Sequence, residues 1–155
     1  MTKDEYKKFC HEEFEKHGFR KTRGMYYRNS QHDLLCALKL QGSFDTGCYI
    51  NCYYFIGKFE NPKEYPKREE YDLYGRPVNV PSKDTYRGQY FMTPLIVYKH
   101  YTKEEIKPYF DKAFEEVIMP PIMSGKQELI KRIEQWDFPL PFVKNEEEVR
   151  CKLYS

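Results

Sequence analysis

No stretch of this chain approaches the ~18 consecutive apolar residues that a bilayer-spanning helix needs, and its opening residues, MTKDEYKK, are too charged to begin a secretory signal. The expected location is the cytoplasm, with no membrane contact. The five cysteines are odd in number and none stands in a C-x-x-C pair, so neither a disulfide framework nor a thioredoxin-like redox pair is indicated. Also lacking are the phosphate cradles G-x-G-x-x-G and G-x-x-x-x-G-K, the G-x-S-x-G nucleophile elbow and the H-E-x-x-H zinc signature. Of the four histidines, His11 and His17 are six apart on one predicted helix, about 120° from a shared face. No metal and no cofactor is expected. The excess of positive charge is only +2, too little to announce a nucleic-acid partner, which calls for clustered cations.

What is abundant is aromatic: 17% of the 155 residues, with fifteen tyrosines and eleven phenylalanines. Tyrosine buries a ring and keeps a wet hydroxyl, which suits half-exposed core edges or a recognition surface. The length is that of a single domain. Residues 33–59 organise it, reading as two strands, DLLCALKLQ and CYINCYYFIGKF, around the turn GSFDTG. Leu34, Cys36, Leu38 and Leu40 alternate with Leu35, Ala37, Lys39 and Gln41; Ile50, Cys52, Tyr54 and Ile56 alternate with Tyr49, Asn51, Tyr53 and Phe55. If the apolar sets share a face, helices pack there and the reverse carries Lys39, Gln41, Tyr49, Asn51 and Tyr53. Asn51 is a poor strand former, so its amide should satisfy something specific: Gln41, a loop backbone or a ligand. Gly42 and Gly47 are expected to supply positive dihedral angles to the hairpin loop. Cys36, Cys48 and Cys52 read as small buried hydrophobes.

Around this hairpin, Thr2 and Glu5 form a capping box that opens a helix over about residues 3–17, with Tyr6, Phe9, Cys10 and Phe14 as its stripe and Gly18-Phe19 as its end. Residues 25–28 read as a short strand after a basic turn. Residues 60–88, with Pro62, Pro66, Pro77 and Pro81, read as a long charged loop without extended regular structure, pinned by Tyr65, Tyr71, Tyr74 and Tyr86. At least one edge strand is predicted within residues 89–98. A second capping box, Thr102 to Glu105, opens a helix carrying Ile106, Phe110, Ala113, Phe114 and Val117, kinked or restarted at Pro108 and ended by Pro120-Pro121. A third helix follows to about Gln135, then a polyproline-like segment over 137–142. Val149, Cys151 and Leu153 alternate, so residues 143–155 are left open between an edge strand and a tail. The fold class is α+β: a mainly antiparallel sheet of four to five strands with two to three helices on one face.

The helix ending in Gly18-Phe19, the tyrosine-bearing strand, the strand ending Gln41-x-Ser43 and the strand containing Tyr49-Ile50-Asn51 resemble a bacterial family catalogued as domain of unknown function 4304. The resemblance covers about the first sixty residues and implies an α+β domain; it brings no activity, cofactor or catalytic residue. It marks Gln41, Ser43 and Asn51 for inspection.

The functional expectation is a non-catalytic module that binds a protein partner or small ligand through Gln41, Ser43, Tyr49, Asn51 and Tyr53, since tyrosine offers large contact area at low entropy cost. A sharper form is an intracellular protein that the domain neutralises. One alternative is an enzyme with a site between the 60–88 loop and the sheet, using Gln41, Asn51 and a tyrosine; a deep pocket on those groups would favour it, a filled face the binder. Another is a single-stranded nucleic-acid binder using Arg20, Lys21, Arg23, Tyr27 and Arg28 beside Tyr26.

Overall fold

The structure is a computed structural model that describes residues 1–30, 32–43, 47–134, 142–143 and 145–155. Helix α1 (Lys3–Lys16) starts as its capping box implies: the Thr2 hydroxyl accepts from the Glu5 amide at 3.1 Å, and the Glu5 carboxylate accepts from the Thr2 amide at 3.0 Å. Tyr6, Phe9, Cys10 and Phe14 are all buried. Gly18 takes the left-handed conformation at φ 85° and turns the chain so that Phe19 is buried against the last turn, its amide donating to the Phe14 carbonyl at 3.0 Å. The basic turn that follows is a hairpin. Strands β1 (Arg20–Thr22) and β2 (Met25–Asn29) are joined by Arg23-Gly24, whose φ values of 52° and 81° give the primed turn that matches strand twist.

Strands β3 (Leu34–Gly42) and β4 (Gly47–Ile56) pair antiparallel in the predicted register, with Leu38 opposite Cys52 and Leu40 opposite Ile50. Directly opposed residues share a face, so the aliphatic set lies on one side and Lys39, Gln41, Tyr49, Asn51 and Tyr53 on the other. Gly42 and Gly47 do not have positive φ. Gly47 instead lies close under Leu95: a Cβ there would come within 2.6 Å of Leu95 Cδ1, so that side chain would have to shift.

The fold is α+β, and the main sheet is antiparallel with the order β1-β2-β3-β4-β5-β9, where β5 is Leu73–Gly75 and β9 is Phe142–Val143. Strand β8 (Ile96–Val97) takes the remaining part of the β4 edge, pairing with Gly47 and Cys48. The sheet is thus broader than four to five strands because β5, β8 and β9 are two or three residues long, too short to leave a periodic signal. A separate two-stranded ribbon is formed by β6 (Val80–Tyr86) and β7 (Gln89–Thr93). Residues 60–88 are therefore not a structureless loop: they hold two single-turn 3-10 helices, Pro62–Glu64 and Arg68–Glu70, then β5 and β6.

Helix α2 (Lys103–Ala113) begins at the second capping box and carries Pro108 inside it. Pro120-Pro121 does not end the helical run. A π-helical turn (Phe114–Ile118) leads directly into α3 (Met119–Ser124), with both prolines in its first turn. Proline supplies no N–H to the carbonyl four residues earlier, which for Pro121 is that of Val117; the Tyr54 hydroxyl reaches the Val117 carbonyl at 3.4 Å and the neighbouring Ile118 carbonyl at 2.7 Å. Helix α4 is Lys126–Glu134; its expected end at Gln135 and the expected extended segment, through residue 141, lie outside the described residues. The C-terminal residues form helix α5 (Glu146–Tyr154), neither strand nor tail. Val149 and Leu153 are four apart, so they share a face under helical as under strand periodicity; the Asn145 cap, which accepts from the Glu148 amide at 3.1 Å, and three glutamates in the first turn decide for the helix. Buried Asp72 ties α5 to the sheet, accepting from the Ile56 amide at 2.7 Å and from Lys152 Nζ at 2.8 Å.

The helices α1 to α5 line one core with the aliphatic sheet face. The opposite face carries a second, smaller cluster of Met25, Tyr27, Leu35, Ala37, Tyr53 and Phe55, covered by Phe59, Tyr65, Tyr71 and Tyr74. Among the described residues no helix is long and apolar enough to cross a membrane.

Candidate functional site

The loop-covered face divides into a closed part and an open end. Over the closed part, Tyr53 is 3% exposed, with the Tyr71 and Tyr74 rings 5.7 and 5.1 Å away. Burial pushes its hydroxyl above the usual tyrosine range, against a hydrogen bond from Asn51 that lowers it. Tyr53 is therefore a packing residue beneath the loop, not part of a recognition surface. Tyr86, expected to pin the loop, is instead 67% exposed.

At the open end, Asn51 is almost fully buried and completely engaged. Its Nδ2 donates to Gln41 Oε1 at 2.6 Å, while its Oδ1 accepts from Arg76 Nε at 3.1 Å and from the Tyr74 hydroxyl at 3.4 Å. Arg76 Nη2 also reaches Gln41 Oε1 at 3.4 Å, and the guanidinium carbon stands 3.7 Å from the centre of the Tyr49 ring. Stacking of this kind is worth about 0.5–1 kcal/mol at a half-exposed site. Gln41, Tyr49 and Asn51 are thus brought together as the alternation of β3 and β4 implies. Ser43 is not part of this network: it stands at the start of the hairpin loop, its amide donating to the Gly47 carbonyl at 2.9 Å, and residues 44–46 lie outside the described residues.

Arg76 was not legible as a site residue. It follows β5, where Gly75 pairs with Cys52, so it falls beside Asn51 from a position 25 residues away. The only local signal is a cation next to a short extended segment. On the other flank of Asn51, Lys39 is its direct cross-strand partner. Among the described residues neither Lys39 nor Arg76 has a carboxylate within ion-pairing distance, and Arg76 Nη1 makes no hydrogen bond. Two cations therefore flank a neutral amide pair, and a fixed guanidinium keeps donors available for a planar anion.

The proposed nucleic-acid residues do not all point to one side of the sheet, although Arg20, Tyr27 and Arg28 line one depression with Lys16. Arg20 pairs with Tyr27 and lies on the loop face; Lys21 pairs with Tyr26, and Arg28 with Cys36, on the helix face. Tyr27 is buried, its ring centre 4.8 Å from that of Tyr65 and its hydroxyl donating to the Pro66 carbonyl at 3.1 Å. Arg23 donates to the Tyr65 carbonyl at 2.8 Å, Arg20 to the Phe19 carbonyl at 3.1 Å, and Arg28 to the His17 carbonyl. Arg20, Arg23 and Arg28 thus hold turns and loop ends, and little of the Tyr27 ring is open for a base to stack on.

Two of the buried thiols are poor nucleophiles. Burial pushes the Cys36 thiol well above its ordinary 9.0 and raises Cys10 in the same direction, and a thiol kept protonated is a weak nucleophile. Three open depressions of about 440 to 540 Å³ lie away from Asn51: between the starts of α1 and α2, at Asp72 and Lys152, and beside Arg20 and Tyr27. Among the described residues no group of three His, Cys, Asp or Glu side chains could hold a metal ion. Comparison with family models, curated proteins and solved structures finds no match to the chain.

Proposed function

We propose that the protein is a non-catalytic binding module that takes an acidic group of a protein partner or small ligand at the open end of the loop-covered sheet face. The observation that carries this reading is the Arg76 guanidinium, stacked on Tyr49 and held by Asn51 and Gln41, with Lys39 on the other flank of Asn51. A guanidinium already fixed by packing loses little entropy when it binds, which is the condition for a specific contact. Tyr49 supplies a half-buried ring beside it, the combination of aromatic and arginine that carries energy in interfaces. The filled state of the remaining face, with Tyr53 sealed beneath Tyr71 and Tyr74, favours a binder over an enzyme site beneath the loop.

The test is titration with a glutamate-rich peptide, followed by NMR of backbone amides and the arginine Nε groups. Saturable shifts should appear at Lys39, Gln41, Tyr49 and Arg76, weaken with added salt, and lose at least tenfold in affinity in Arg76→Ala. Shifts that are absent, or that persist unchanged in Arg76→Ala, would reject the assignment.

A further inference from the structure

We propose that strand β7 is a docking edge for a second copy of this chain, which adds its own β7 antiparallel to form a four-stranded ribbon. The observation is a concentration of apolar exposure. Tyr86, Tyr90, Phe91 and Met92 are 67%, 72%, 46% and 54% exposed, and all four belong to the β6–β7 ribbon. Only its root is anchored: Val80 and Ser82 are buried, the Tyr101 hydroxyl donates to the Pro81 carbonyl at 2.5 Å, and Lys83 pairs with Glu105 at 2.5 Å. An isolated two-stranded ribbon is marginal in water, and further strands stabilise it.

The two edges differ. Strand β6 carries Pro81, which has no N–H, the charges of Lys83 and Asp84, and a register irregularity between Pro81 and Thr85; these are the devices that blunt an edge against pairing. Strand β7 reads Gln-Tyr-Phe-Met-Thr and has no proline, charge or glycine. The Arg87-Gly88 turn, at φ 52° and 77°, is a two-residue primed turn, and the pair flanking such a turn, Tyr86 and Gln89, is the hydrogen-bonded one. By alternation, the backbone groups of Tyr90 and Met92 point away from β6, and among the described residues β7 pairs with no other strand.

Self-pairing suits this edge. With a two-fold axis at Phe91, Tyr90 of each copy faces Met92 of the other in a hydrogen-bonded pair, giving two ring–sulfur contacts. The two Phe91 side chains meet at the closely spaced pair between them. No like charges are opposed, because the strand has none. The exposed side chains of Tyr90, Phe91 and Met92 offer roughly 400 Å² per copy, about 800 Å² in all, which is the range of weak, transient contacts. The association is therefore expected to be weak and dependent on concentration.

Sedimentation equilibrium of the full chain over a wide concentration range tests this. The wild type should move from monomer to dimer. Phe91→Lys, which opposes two ammonium groups on the axis, should weaken the dimer at least tenfold with an unchanged melting temperature, and Phe91→Glu should do the same. An equimolar mixture of the two variants should associate again. Met92→Pro, which removes an outward-facing N–H together with the sulfur that meets Tyr90, should also yield monomer. A wild type that stays monomeric throughout, including one that binds a different protein through this ribbon, overturns the proposal. So does a Phe91→Lys variant that dimerises like the wild type, or a mixture that fails to associate.

Discussion

The two faces of the main sheet are covered by different kinds of backbone, and the side chains on each follow from that. Helices satisfy their own N–H and C=O groups, so the face they cover needs little beyond shape. Among the described residues that core and its margin hold thirty-four hydrophobic side chains, of which six are tyrosine. The loop face has ten, five of them tyrosine, a threefold higher share that calls for a cause. Residues 58–72 run over the sheet with few partners of their own, and buried backbone groups left unpaired are costly. The Tyr27 hydroxyl supplies the part-buried Pro66 carbonyl, while Arg23 and Asn29 reach the exposed carbonyls of Tyr65 and Phe59. On the helix side Tyr101 likewise donates to the Pro81 carbonyl. Tyr54 donates to the π-helical turn, the place where the helical ladder leaves carbonyls free.

Substitutions can break this contrast. The largest effect is expected for Phe114→Ala, whose fully buried ring meets Phe14, His17 and Phe19. A loss of about 3–5 kcal/mol should be read by chemical denaturation. The same truncation of half-exposed Tyr71 should cost clearly less, and equal losses would mean that both faces are packed cores of one kind.

Alkaline pH should strain the helix side. Burial raises the Cys10 and Cys36 thiols, so the fold keeps protons that the unfolded chain releases near 9.0. The stability that depends on them is complete below that pH and is lost as pH rises toward the folded values, at up to about 1.4 kcal/mol per pH unit for each thiol. Denaturation midpoints measured from about pH 8 to pH 10 should fall, less steeply in Cys36→Val; a flat profile would mean that water reaches the thiols.

The smallest effect, and the sharpest for the contrast, is Tyr27→Phe. Removing a hydroxyl from a partly wet carbonyl should cost about 1 kcal/mol and speed amide hydrogen exchange in residues 58–72 while leaving α1 and α2 protected. Tyr54→Phe, at a buried carbonyl, should instead loosen the π-helical turn and α3. Uniform acceleration across the chain in either variant would contradict the separation of the two faces.

Much of the fold was legible because its signals are local. The capping boxes at Thr2 and Thr102 each lie within four residues, the stripe of α1 repeats every turn, and the alternation in β3 and β4 is long enough to settle which side chains share a face. Strand β7 falls where an edge strand was expected, but β6 and the ribbon it makes with β7 were missed, because the prolines of residues 60–88 argue against regular structure. Pro120-Pro121 misled for a related reason: the rule against proline assumes a regular α-helix, and the preceding π-helical turn changes which carbonyls need a donor. Asn51 could be recognised as needing partners, and Gln41 was among those expected.

The sequence by itself determined the hairpin, its two faces and the starts of α1 and α2, since each depends on spacing over a few residues. Only the tertiary structure decided that Tyr53 lies sealed under the loop, that Arg76 stands on Tyr49 beside Asn51, and that the basic cluster at residues 20–28 is divided between opposite faces. These contacts join residues from about 20 to more than 40 positions apart through strand pairing and loop closure. Such pairings depend on which distant surfaces meet when the chain collapses, and short-range patterning carries no record of that choice.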